Sequence, residues 1–136
     1  AMTRVIPEET VAEGLVQMKM STLESIQSGD LHDQEVLTVA RVAALQAAQR
    51  AWDLIPSSQI SRFEDLQVQF QFRENPPELH ITVRITSQTG GKREMEALTA
   101  VSAAALTIYD LARSGDPNLV ISGIQLQRRL GKVRSA

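Results

Sequence analysis

Hydrophobic and polar positions alternate along four stretches of the chain, and a period of two is typical of strands in a half-buried sheet. These stretches cover residues 12–20, 66–72, 79–86 and about 119–126. The turn sequence Asn75-Pro76-Pro77 separates the second stretch from the third. Two strands joined so closely predict a β-hairpin.

Two longer stretches repeat small apolar residues every three or four positions, as helices do. One helix is expected from about residue 34 to 54 with Asp33 as its N-cap, and another from about 93 to 112. Both are rich in alanine, which allows another backbone to approach closely. A shorter helix is expected after the first strand, because Ser21 and Glu24 have the spacing of a capping box and Gly29 is typical of a helix end.

The predicted order is strand, helices, strand, strand, helix, strand. This order is that of the ferredoxin-like βαββαβ plan, an α+β fold with helices on one face of an antiparallel sheet. We expect residues 1–136 to form a single domain, since one domain commonly takes 150 residues or so. Neutral glutamines on the polar face of the hairpin predict that this surface meets another subunit.

Composition excludes several kinds of site. The 136 residues include no cysteine and two histidines, which rules out disulfides, thiolate metal sites and a His-rich metal site. The net charge of −2 argues against a general nucleic-acid binder, which must neutralise many phosphates. No apolar run approaches the roughly 20 residues of a membrane span, and no signal-peptide pattern is visible. We therefore expect a cytoplasmic protein.

Two pairs of charged residues stand near the ends of the second long helix. Glu94 and Glu96 open it, where acids complement the helix dipole but can also bind or protonate a substrate. Asp110 and Arg113 lie one turn apart near its end, either as a surface ion pair or as an acid and a cation aimed into one pocket. The basic tail after residue 127 suits either phosphate binding or a solvated end.

Five segments together resemble the MoaC family, the cyclic pyranopterin monophosphate synthases of molybdenum cofactor biosynthesis. They are AEGLVQM at 12–18, ARVAALQAA at 40–48, WDLIP at 52–56, EMEALTA at 94–100 and AAALTIYD at 103–110. The resemblance covers almost the whole chain, and the predicted element order agrees with the family's α+β fold.

The resemblance implies a hexamer, a trimer of dimers with pockets at subunit interfaces. It also implies a substrate, a cyclic GTP-derived nucleotide triphosphate that is rearranged to cyclic pyranopterin monophosphate as pyrophosphate leaves. No metal or organic cofactor is implied. The expected partners are therefore copies of this chain and the nucleotide, with neither nucleic acid nor a membrane among them.

The resemblance also implies roles for individual residues. Catalytic roles fall to Glu94, to Asp110, which matches the family's aspartate, and to Arg113, which stands where the family has a catalytic lysine. Substrate contacts are implied for the rest of the Glu-Met-Glu run, for the segment after Pro56 and for the basic tail. These residues are Ser57, Ser58, Gln59, Met95, Glu96, Arg129 and Lys132.

Three matching positions carry different chemistry from the family. Gln59 replaces a histidine that contacts substrate, Asp33 replaces a catalytic lysine, and Gln49 replaces a further lysine. Glutamine does not titrate near neutral pH, so it cannot transfer a proton as histidine does. Two hypotheses follow. The first is an enzyme of this pathway that is slow or has a shifted substrate. The second is a MoaC-like protein that has lost the reaction and serves as a binding or regulatory subunit. A different nucleotide-modifying reaction in the same pocket is a third, weaker option.

Overall fold

The computed structural model describes residues 7–29, 35–56, 65–88 and 91–127. The strand and helix order predicted from the sequence is confirmed within these ranges. The elements are β1 (Glu8–Gln17), α1 (Met20–Ser28), α2 (Val36–Gln49), α3 (Ala51–Leu54), β2 (Asp65–Glu74), β3 (Pro77–Ser87), α4 (Glu94–Ala112) and β4 (Val120–Leu126).

The four strands form one sheet in the order β2-β3-β1-β4, and every neighbouring pair is antiparallel. The helices lie on one face, where α4 contacts β1, β3, β4 and α2. This arrangement confirms the ferredoxin-like α+β prediction. The hairpin of β2 and β3 turns at Asn75-Pro76, between Glu74 and Pro77.

The core lies between the sheet and the helix layer. Alternation along β3 buries every second residue completely, so Leu79, Ile81, Val83 and Ile85 all face the helices. The seam between α2 and α4 consists largely of fully buried alanines, as the alanine-rich patterns predict. Those with no exposed surface are Ala40, Ala44, Ala97, Ala100, Ala104, Ala105 and Ala112.

Helix α4 is long and apolar enough to cross a membrane by length and composition alone. Its buried residues pack against the sheet and α2, however, as those of a core helix do. The face of α4 opposite the sheet carries Leu106, which is 60% exposed.

The predicted capping box at the start of the short helix is wrong. Helix α1 begins at Met20 rather than after Ser21, its N-cap position is Lys19, and the Lys19 side chain makes no capping hydrogen bond. Met20 therefore belongs to α1 and not to the first strand. The N–H of the N-cap residue Lys19 donates instead to the Asp116 carboxylate, a long-range contact that no local spacing reveals. The predicted end at Gly29 is confirmed, with Gly29 in the left-handed conformation at φ 82°.

The helix predicted over residues 34–54 is two helices. The last turn of α2 tightens, because the Arg50 N–H donates to both Gln46 O and Ala47 O at 3.1 Å, and α3 begins at Ala51. The N-cap of α2 is Glu35 and not Asp33, which lies outside the described residues. Trp52 is 45% exposed and therefore does not belong to the core.

A β-bulge adapts β4 to β1. The pairing register shifts between Glu13 and Leu15, and Gly123 takes the left-handed conformation at φ 66°. Glycine adopts this conformation without the steric cost of a Cβ atom. Opposite the bulge, a Cβ atom on Gly14 would lie 3.1 Å from Ile124 Cγ1, so the absence of a side chain at Gly14 allows the two strands to pack closely.

Candidate functional site

The predicted site residues that the structure describes all lie on α4, at its two ends. Glu94, Met95 and Glu96 form the first turn, and Asp110 and Arg113 stand at the last. Glu96 and Asp110 are separated by 14 positions, which corresponds to about 21 Å along a helix. One copy of the chain therefore does not bring the two ends together.

The first turn of α4 is anchored to the strands beneath it. The Arg93 N–H donates to Thr10 Oγ1 at 3.0 Å, and the Gly91 N–H donates to Glu8 Oε1 at 2.5 Å. The Arg93 guanidinium also donates to Ser87 Oγ at 3.1 Å. Backbone donors before a helix are thus satisfied by side chains of β1, which holds this end of α4 in place.

The three residues of the Glu-Met-Glu run face different surroundings. Glu96 is 8% exposed, Glu94 is half-buried, and Met95 is 36% exposed. Both acids lie in the first turn, where they complement the helix dipole as the sequence suggests. Glu94 is the acid with access to a cavity, and Met95 presents a thioether to the surface.

A cavity of about 340 Å³ opens beside Glu94. Its charged lining residues are Glu8, Glu9, Glu94 and Lys92. The Glu9 carboxylate pairs with the Arg84 guanidinium at 3.1 Å. The cavity lining thus carries three carboxylates and one ammonium group, and this excess of negative charge repels a triphosphate. The carboxylates can, however, accept protons and hydrogen bonds. The remaining lining residues are Pro7, Thr10, Val11, Leu126 and Gln127.

The far end of α4 carries an exposed ion pair. Arg113 Nη2 lies 3.4 Å from Asp110 Oδ1, and the two side chains are 64% and 68% exposed. This is the i,i+3 surface contact that the sequence predicts as one alternative. An ion pair this exposed contributes little to stability, about 0–1 kcal/mol. Both groups are therefore available to a ligand at small cost.

Asp116 is a residue that the sequence analysis did not single out. Its side chain is 1% exposed and accepts hydrogen bonds from the Lys19 N–H at 2.8 Å and from Thr22 Oγ1 at 2.9 Å. The Ser-Gly-Asp-Pro sequence signals only the end of α4. Aspartate is a strong acceptor at helix starts, but the sequence does not indicate which helix it serves.

Several predicted residues lie outside the described ranges. They are Ser57, Ser58, Gln59, Arg129 and Lys132 of the substrate-binding prediction, together with Asp33. Gln49, the last residue of α2, is described and exposed. His80 is half-buried on the sheet face opposite the helices, as its place in the alternation predicts. Within the described part of the chain, no group of three or more His, Cys, Asp or Glu side chains could hold a metal ion.

Comparison with known proteins gives a consistent result. The model of the MoaC family matches residues 3–131. A cyclic pyranopterin monophosphate synthase from Chloroflexus aggregans is 44% identical over 129 residues, which cover 93% of this chain and 77% of the relative. Proteins of the same name from Brevibacillus brevis and Heliobacterium modesticaldum are 42% and 43% identical, covering 89% and 90% of this chain and 75% and 77% of theirs.

Among solved structures, a de novo designed protein with a ferredoxin fold is similar at a TM-score of 0.44 and 10% identity, covering 93% of this chain and 91% of the design.

Proposed function

This chain belongs to the MoaC family, and we propose that it acts in molybdenum cofactor biosynthesis as a cyclic pyranopterin monophosphate synthase. The reaction converts a cyclic GTP-derived triphosphate to cyclic pyranopterin monophosphate and releases pyrophosphate. The observation that carries the proposal is identity of 42–44% to proteins of that name over about nine tenths of the chain. Glu94, Met95, Glu96 and Asp110 retain the family pattern.

The residues at the two ends of α4 suit different parts of this chemistry. Glu94 opens onto a carboxylate-lined cavity, where it can accept or return a proton during the rearrangement. Arg113 presents a guanidinium fork to solvent, a shape that binds phosphate oxygens in pairs. Asp110 holds that fork when no ligand is present, and it exchanges this contact for a substrate contact when the triphosphate binds.

A complete site on this account needs two copies of the chain, because the two ends of α4 lie about 21 Å apart. The outer face of the helix layer supports such an assembly, since it exposes several large apolar residues: Val39, Val42, Leu45, Trp52, Leu54 and Leu106. Closed symmetric assemblies are the usual outcome for such surfaces. The proposed assembly is a homo-oligomer, a hexamer built as a trimer of dimers, working in the cytoplasm without metal or organic cofactor.

A second candidate function is a binding or regulatory subunit with the same fold and an impaired reaction. Asp33, Gln59 and Gln49 favour it, because they replace two cations and a proton-transfer group of the family. Arg113 also favours it, since arginine is effectively never neutral and cannot donate a proton as a tuned lysine does. A general acid or base contributes about 10²–10⁴-fold to a rate, so losing two such groups removes most of the activity.

Pyrophosphate release from the cyclic GTP-derived triphosphate separates the two functions. The unmodified chain is compared with the double substitution Asp33→Lys plus Gln59→His and with each single substitution. If the reaction is impaired, the double substitution should raise the rate of pyrophosphate release by more than the product of the two single effects, because groups that act as a unit are non-additive. If the unmodified chain instead turns over the substrate as fast as other members of the family do, it is an active synthase and the hypothesis of an impaired reaction is wrong.

The synthase proposal itself fails if the unmodified chain does not release pyrophosphate above the rate without protein. A known synthase from one of the relatives, assayed with the same substrate preparation, serves as the positive control. Circular dichroism of each variant confirms that it is folded at the assay temperature.

A further inference from the structure

The buried carboxylate of Asp116 joins two distant parts of the chain. Lys19 N–H and Thr22 Oγ1 both donate to the same oxygen, Oδ2, across 97 and 94 positions of sequence. Lys19 and Thr22 belong to the start of α1, whereas Asp116 follows α4. A carboxylate at a helix start is favoured by the helix dipole, and hydrogen bonds to an ionised acceptor are among the stronger ones.

A continuous series of backbone hydrogen bonds connects Asp116 to the end of α4. The Arg113 N–H donates to Tyr109 O at 3.0 Å, and the Gly115 N–H donates to Ala112 O at 3.2 Å. The Asp116 N–H then donates to Arg113 O at 3.3 Å. Arg113 therefore lies between the regular helix on one side and the buried Asp116 anchor on the other.

The exposed Arg113 side chain contrasts with this rigid backbone. Its guanidinium is 64% exposed and its ion-pair partner Asp110 is 68% exposed, so this contact does not fix its direction. What limits its reach is the position of its backbone. That position depends on the turn from residue 113 to 116, and the turn is held by the two hydrogen bonds to Asp116 Oδ2.

We propose that Asp116 is a positioning residue for the anion-binding end of α4, holding the backbone of Arg113 where its guanidinium meets the phosphate groups of the substrate. The inference rests on the proposed function to the extent that Arg113 contacts a phosphate. Asp116 does not touch the substrate, and it acts through the turn that it anchors.

The test measures binding of pyrophosphate alone by isothermal titration calorimetry, in a double-mutant cycle of Asp116→Ala and Arg113→Ala. Asp116→Ala is expected to weaken binding about tenfold in the unmodified chain, a coupling within the range seen for residues acting together. In the Arg113→Ala background the same substitution is expected to change the affinity by less than about twofold, because the residue that it positions is gone.

Two further variants distinguish an effect of Asp116 on the position of Arg113 from a general loss of stability. Asp116→Asn keeps an oxygen that can accept both hydrogen bonds, so it is expected to retain most of the pyrophosphate affinity. Val83→Ala removes volume from a fully buried site in β3 far from the turn, and it is expected to lower thermal stability while leaving pyrophosphate affinity unchanged.

The proposal is overturned if the effects of Asp116→Ala and Arg113→Ala multiply, if Val83→Ala weakens binding as much as Asp116→Ala does, or if pyrophosphate binding does not depend on Arg113. Failure of the proposed function gives a different result. In that case the binding cycle shows the coupling between Asp116 and Arg113, but the cyclic GTP-derived triphosphate is not turned over.

Discussion

The two ends of α4 are built in opposite ways. At the first turn the chain itself surrounds the candidate residues, since β1 side chains accept the backbone donors before the helix and Glu96 is nearly buried. At the last turn Asp110 and Arg113 are exposed, and only the backbone beyond them is anchored, through Asp116.

If two copies share one site, as proposed, this difference indicates which end of α4 the second copy covers. A carboxylate in a cavity of its own chain is already positioned, whereas an exposed acid and cation on the helix surface gain a defined environment only when another surface covers them. The two ends should also respond differently to substitution. Substitutions at the exposed end are expected to change catalytic activity alone, whereas substitutions under the first turn are expected to lower stability as well.

The largest expected effect is on catalysis by the exposed end. Asp110→Asn is expected to lower pyrophosphate release by about 10²–10⁴-fold, the range of a lost acid or base. Its melting temperature should stay unchanged, because an exposed pair contributes about 0–1 kcal/mol. Asp65→Asn, an equally conservative change at an exposed carboxylate of β2, serves as the control and should keep full activity. If Asp110→Asn releases pyrophosphate at the unmodified rate, the last turn of α4 is not part of the catalytic site.

A smaller effect is expected on assembly. Leu106→Glu places a charge on the outward face of α4, where the side chain is 60% exposed. If a second copy covers this face, burying an unpaired carboxylate there is unfavourable, and light scattering should show a mass falling toward 15.0 kDa. Gln27→Glu at an exposed position of α1, outside both candidate interfaces, is the matched control. If the mass of the assembly is unchanged in Leu106→Glu, no second copy covers the outward face of α4.

The smallest expected effect is on stability at the anchored end. Thr10→Val removes the hydroxyl that accepts the Arg93 N–H and leaves that donor without its partner. The free energy of unfolding should fall by about 0.5–1.5 kcal/mol, the net contribution of a typical hydrogen bond, because this one is part-buried. Thr38→Val is the control, because the Thr38 hydroxyl donates to the Glu35 carboxylate at 3.3 Å in an exposed position. Equal losses in urea denaturation would show that the Thr10 contact anchors the start of α4 no more strongly than an exposed side-chain contact does.

Local patterns were sufficient to predict most of the fold. The period-two stretches predict β2 and β3 to within a few residues, and the alanine stripe predicts α4 with its end at Ala112. These predictions are confirmed because alternation and helical spacing directly reflect which residues face the core. The first-turn acids and the Asp110–Arg113 contact follow in the same way from their places on one helix.

Long-range contacts could not be predicted from the sequence. The start of α1 follows from Asp116, which lies 97 positions from Lys19, whereas the capping-box spacing of Ser21 and Glu24 considers neighbours alone. The interruption at Arg50 carries no proline or glycine signal, so the sequence favours one continuous helix there. The anchors under the first turn of α4 likewise join residues 83 positions apart, a separation at which sequence patterns contain no information on contacts.

The proposed catalytic site uses the first turn of α4 from one copy and the last turn from another. Mixing Glu94→Gln chains with Asp110→Asn chains, after dissociation and reassembly, tests this claim directly in the pyrophosphate-release assay. The Asp33→Lys plus Gln59→His background provides measurable turnover if the unmodified chain is slow. A control mixture of Glu94→Gln with Glu96→Gln chains, both altered at the same end, should stay inactive.

A site shared between two copies predicts that the test mixture recovers activity although each variant alone is inactive. Random assembly of equal amounts gives about one quarter of the sites both an intact Glu94 and an intact Asp110, so about one quarter of the parent activity should return. No recovery in mixed oligomers, verified by co-purification of an untagged variant with an affinity-tagged one, would contradict the claim and place the two ends in separate sites.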